Sequence, residues 1–160
     1  MRGAACSLAI ILATVGCAQL YTPASANPAV VQMSFSGSFG VGDEINIVAI
    51  DGVSVDAAAN ASHQWRIDPG SRRLTLTYEA SNKILGPRVA ASPLVLNTKL
   101  EAGKHYQILC ETSQAGVRAF VRRQSDNRIV SNVAESSLIS APATYPSPPP
   151  FFQIPAGRRR

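Results

Sequence analysis

Few side chains in this sequence have the chemistry for covalent or acid–base work: Cys6, Cys17 and Cys110, with His63 and His105 as the only histidines. Cys110 and His105 are the one pair of types that would make a thiolate–imidazole dyad, in which the ring takes the thiol proton. They stand five residues apart in an alternating run, which on a regular strand is about 16 Å and places them on opposite faces. That spacing argues against a dyad. Flanked by Ile108 and Leu109, Cys110 reads as a small buried hydrophobe rather than a reactive thiol. His63 shares an alternating face with Trp65 and Ile67 and reads as a core or edge residue rather than a metal ligand. The sequence contains no Gly-x-Ser-x-Gly, Cys-x-x-Cys, His-Glu-x-x-His or EF-hand pattern, so neither a metal nor a cofactor is expected and no reaction is assigned. Asp51 and Asp56 lie near one turn, where acids commonly serve turn geometry. Asn60-Ala61-Ser62 matches a glycosylation sequon by letters only.

A second group of residues is suited to contact. Trp65, Tyr78 and Tyr106 are either core residues or, if exposed, an aromatic platform for a small or polymeric ligand. Arg118, Arg122, Arg123 and Arg128 are the densest basic stretch of the body; Arg118 and Arg122 alternate in phase with Phe120, and Arg123 points the other way. This pattern fits a solvated strand face better than a phosphate site. The net charge is +5, but Arg2 and Arg158 to Arg160 sit at the two ends, and residues 27–140 hold 11 Lys plus Arg against 10 Asp plus Glu. A nearly neutral body argues against nucleic acid, which requires cations concentrated on a folded face. The terminal arginines beside Phe151 and Phe152 offer a cationic, aromatic end for anionic lipid, lipopolysaccharide or cell-wall polymer.

The start of the chain indicates where these residues are sent. "MRGAACSLAIILATV" has one cation followed by about a dozen mostly apolar residues, too short for a membrane span of roughly 20 residues and suited to a signal peptide. Leu12 to Cys17 resembles a bacterial lipobox, with Gly16 and Cys17 in place and Thr14 where an aliphatic residue is usual. It implies residues 1–16 as a lipoprotein signal, acylation of Cys17 and a membrane anchor. Ala18 after the cysteine resembles the signal for the outer membrane, facing the periplasm. The competing exit is Ala24-Ser25-Ala26, which would release a soluble periplasmic or secreted chain beginning at Asn27. On either route Cys110 is left without a disulfide partner, so the exported domain relies on its core.

The elements that position these groups read as strands. Residues 17–29, rich in Ala, Ser, Thr and Pro, suit a linker. Over residues 30–39, Val31, Met33, Phe35 and Phe39 share one face and Gln32, Ser34, Ser36 and Ser38 the other; Ile45 to Ile50 is apolar on both sides; Asp51-Gly52 is a hairpin signal. Residues 57–61, "AAANA", could begin a short helical turn but are too few to nucleate one alone. "IDPGSRRLTLTYEA" at 67–80 is echoed by "LEAGKHYQILCETS" at 100–113, each an aliphatic residue and an acid, then glycine, then an alternating run. Both predict a turn followed by a returning strand. Further runs at 117–124 and 128–133 complete a body over 30–133, with the interval 81–93 expected to cross between sheets or cover an edge. The pattern predicts an all-β fold: a single antiparallel β-sandwich of about seven to eight strands. From 134 to 160 the Pro-rich, Arg-ended stretch is expected to be an extended, disordered tail.

The order Ile50-Asp51-Gly52, a Pro-Gly or Ala-Gly turn, and "LEAGKHYQILCE" resembles the PEGA-like or transthyretin-like small β-sandwich modules of bacterial envelope lipoproteins over roughly residues 44–130. The Pro-Glu-Gly-Ala tetrapeptide is absent; Asp68-Pro69-Gly70 and Glu101-Ala102-Gly103 stand in its place. The resemblance implies a non-enzymatic structural or interaction role in the envelope, with partners among wall polymer, lipopolysaccharide and other envelope proteins. The alternative is a periplasmic binding module using Trp65, Tyr78 and Tyr106.

Overall fold

A computed structural model describes residues 19–35, 43–82, 86–113 and 115–141. Cys17, the signal segment and the Pro-rich, Arg-ended stretch from 142 onward lie outside the described residues. Residues 36–39 of the first expected strand lie outside the described residues, and among those described most of the alternating runs become strands: β1 (Ala29–Phe35), β2 (Glu44–Ile50), β3 (Val53–Ser54), β4 (Gln64–Ile67), β5 (Gly70–Asn82), β6 (Gly86–Ala90), β7 (Leu94–Leu100), β8 (His105–Thr112), β9 (Gly116–Arg123) and β10 (Ala134–Ser140). One short helix, α1 (Ala57–Ala61), follows β3, and the Asp56 carboxylate caps it by accepting from the Ala58 amide at 3.0 Å.

The fold is all-β, as the alternation predicts, but the sheet is mixed and has ten strands among the described residues. The order is β3-β2-β5-β6-β10-β9-β8-β1-β4, with β7 also paired to β5. β10 joins two halves of this curled sheet by pairing with β9 over its first residues and with β6 over its last. β1 and β8 are parallel, Val31 beside Tyr106 and Met33 beside Ile108. That corrects the all-antiparallel expectation. Turn signals specify local hairpins, whereas this pairing joins distant segments that both enter the sheet from the same end.

Two expected turns also change character. Asp68-Pro69-Gly70 and Glu101 to Lys104 do not close hairpins; each carries the chain from one half of the sheet to the other. β4 pairs with β1 and β5 pairs with β2, β6 and β7. β7 then delivers the chain back to β8. The two corners lie side by side, because Gly70 is the register partner of Leu100. Asp51-Gly52 is a hairpin turn as predicted, with φ of 51° and 84° and Ile50 paired to Val53.

The expected body ends too early and its gap is too wide. β6 lies inside the interval 81–93, and β10 occupies 134–140, the beginning of the predicted tail. Residues 128–133 form no regular strand. Ile129 bridges Arg122 and Ser131 bridges Thr98, so this segment alternates its pairing between β9 and β7 and laces the halves together. In β2 a register shift between Ile47 and Ala49 inserts one residue, which turns Val48 outward and keeps both Ile47 and Ile50 in the core. The core joins Ile45, Leu74, Leu76 and Leu96 of one half to Val31, Ile67, Ile108 and Val121 of the other.

Candidate functional site

The residues singled out for chemistry are kept apart. Cys110 is buried, its thiol pushed up to about 12 by burial, which withholds the thiolate at neutral pH. His105, five positions earlier on β8, is exposed. His63 is exposed at φ 51° just before β4, outside the core face on which alternation put it. The turn before the strand breaks the period. Among the described residues no group of three or more His, Cys, Asp or Glu is arranged to hold a metal.

Trp65, Tyr78 and Tyr106 are core residues, 3%, 3% and 0% exposed. As an aromatic platform they would have to present ring faces to solvent, and they do not. Their polar tips are used internally. Trp65 Nε1 donates to Asn60 Oδ1 at 3.1 Å, and the Asn60 amide donates to the Ile47 carbonyl at 3.2 Å. This asparagine of the sequon therefore joins α1 to both halves. Tyr78 donates its hydroxyl to Asp43 at 3.0 Å, and burial raises its pKa. The Tyr106 hydroxyl accepts from the Glu101 amide at 2.8 Å. The basic stretch is a surface face: Arg118 pairs with Glu111, Arg123 pairs with Glu101 and Asp126, and Arg122 donates to Gln107 at 3.0 Å.

What the sequence reading missed is the role of residues 20–30. Composition suggests a tether; the structure holds this stretch along the body as a strap. The Leu20 backbone bridges Ser54 in the parallel sense, and the Tyr21 amide donates to the Ser54 carbonyl at 2.7 Å. The Tyr21 hydroxyl accepts from the Asp68 amide at 2.8 Å. The Asp68 carboxylate in turn accepts from the Ser25 amide at 2.6 Å and the Ala24 amide at 3.1 Å. These amides, that of Ser25 first, hold its pKa below the usual carboxylate value. Further on, the Asn27 side chain lies over Gly103, and the Val30 amide donates to the Lys104 carbonyl at 2.9 Å. The strap thus covers both corners. Tyr21 and Asp68 were the available signals, an aromatic and an acid inside otherwise nondescript stretches.

The opposite end is open. A concavity of about 640 Å³ is lined by Glu111, Arg118, Glu135, Ser113, Ser136 and neighbours. Glu111, Arg118 and Glu135 form one row across β8, β9 and β10. The arrangement offers hydroxyls, two carboxylates and a guanidinium to a polar ligand.

The fold and these two ends define an all-β protein with a strapped end and an open end. No protein-family model, curated protein or solved structure matches the chain.

Proposed function

We propose that this is an exported, lipid-anchored envelope protein. Cys17 carries the acyl chains in the outer membrane, facing the periplasm, and the β body, a sandwich closed through β10, acts by contact with wall polymer, lipopolysaccharide or another envelope protein. The observation that supports it is the strap. Cleavage after Ala26 would remove Tyr21, Ala24 and Ser25, and with them the acceptor for the Asp68 amide and two donors to its carboxylate. Processing at Cys17 retains them all. The strap therefore favours the lipobox over the competing exit, and the resemblance to envelope lipoprotein modules points the same way. On this reading the open end supplies the contact surface, in place of the buried aromatics.

Intact mass of the mature protein from the membrane fraction tests the anchor. A chain beginning at Cys17 with a diacylglyceryl or triacyl adduct is expected. An unmodified chain beginning at Asn27 would overturn the proposal.

A further inference from the structure

Charge on the nearly neutral body is sorted by end. At the strapped end every acid is engaged. Asp51 pairs with Arg72 at 2.9 Å, the strap amides hold Asp68, and Arg123 pairs with both Glu101 and Asp126. At the same end Arg66, Arg73, Lys99, Lys104 and Arg128 are exposed, and no side-chain hydrogen bond or ion pair engages them among the described residues. Arg73 and Lys99 line a shallow depression of about 430 Å³ with Ser71 and Asn97. At the open end acids outnumber cations among the described residues: Glu44 stands opposite Glu79, Glu111 and Glu135 flank Arg118, which pairs with Glu111, and Arg88 donates to the Leu138 carbonyl.

The chain path makes this sorting consequential. Only Ala18 and Gln19 separate Cys17 from Leu20, which is already fixed to Ser54. Three residue steps reach at most about 11 Å. Because Leu20 runs parallel to β3, the chain enters from the side of the Asp51-Gly52 hairpin, which belongs to the cationic end. Leu20 itself is 49% exposed there.

We propose that the corner end of the body is a bilayer-facing surface, its free cations taking the anionic headgroups of phospholipids while the open end is held away from the membrane. This rests on the lipid-anchor reading. Unpaired cations near a surface gain from anionic headgroups, and the gain fades within a Debye length. A leash this short keeps the corner end inside that range, whereas a solvated linker of the whole 17–29 stretch would not.

The test uses the full acylated protein, reconstituted in vesicles of phosphatidylcholine with or without phosphatidylglycerol, with a fluorophore on Ala102→Cys or Ala115→Cys. These positions lie beyond opposite ends of β8, about 25 Å apart. A headgroup-attached quencher should quench position 102 at least about threefold more than position 115 when phosphatidylglycerol is present at low salt. The ratio should fall toward one in the Arg73→Glu/Lys99→Glu/Lys104→Glu variant, and also when a Gly-Ser segment of about a dozen residues is inserted after Gln19. Equal quenching at both positions in acylated protein overturns the orientation and leaves the anchor standing. A ratio unmoved by the charge variant overturns the role of the headgroups. A mature mass without acyl chains removes the anchor, and the orientation with it.

Discussion

The corners at 68–70 and 101–104 begin with the same phrase, sit side by side, and are each closed by a tyrosine hydroxyl accepting a corner amide at 2.8 Å. They differ in where the tyrosine comes from. Tyr106 follows Glu101 of its own corner by five residues and is wholly buried, so the second corner is complete within the phrase. The first has no such residue, and Tyr21 arrives from a strap 47 positions upstream, half-buried. One local motif therefore supports a self-contained corner and a corner that depends on a distant segment. The corner at 101–104 is a matter of core stability, whereas the corner at 68–70 depends on the strap reaching Asp68.

The largest contrast is expected from truncating the tyrosines. Tyr106→Ala removes a buried ring and strands an amide, a loss of about 3–5 kcal/mol. Tyr21→Ala, at a half-exposed site, should cost only about 1–2 kcal/mol. Urea unfolding of both variants measures the difference, and equal losses would mean that the strap belongs to the core.

Glycine replacement sharpens the comparison at smaller magnitude. Gly70 has φ 110°, outside the region any L-residue occupies readily, and Gly103 has φ 65°, within the left-handed region that asparagine tolerates. Gly70→Ala should cost about 2 kcal/mol and Gly103→Ala about 1 kcal/mol. The nearest atoms to a Cβ added at Gly103 are those at the end of the flexible Asn27 side chain, at 2.8 Å. A larger loss at Gly103 by thermal unfolding would show that Asn27 cannot move aside.

The smallest effect is electrostatic. The folded pKa of Asp68 is depressed by the strap amides, so its contribution is present above the unfolded carboxylate value and is lost as pH falls through the lowered folded value. Asp126 is lowered by Arg123 and acts in the same direction, so the informative quantity is a difference. The Tm gap between wild type and Asp68→Asn should be full at pH 6 and close below pH 4. A gap constant down to pH 2 would show that the strap does not sense the charge.

The local rules of the chain were legible and its long-range pairings were not. Alternation located most strands, and Asp51-Gly52 located a hairpin, because each is decided by neighbouring residues. A Pro-Gly or Ala-Gly phrase specifies that the chain bends, not whether the next strand returns beside its predecessor or crosses to the other half. Tertiary pairing of β4 with β1 made that choice. "AESSLIS" lacks apolar alternation strong enough to declare β10; it becomes a strand because β9 and β6 both present edges to it. Tyr21 was hidden for the same reason: its value lies in Asp68, and nothing in the surrounding Ala, Ser, Thr and Pro points there. The aromatics were read as core or platform, and strand phase alone does not separate those two.

The parallel seating of β1 against β8 has a consequence for the order in which the sheet can assemble. β1 is flanked by β4, a match of four residue pairs, and by β8, which is synthesised much later. Two short strands alone are marginal in water. The first strand of the chain thus has no lasting place in the sheet until Cys110, the last of its β8 partners, has been made, so the leading end of the body is among the last parts to be fixed.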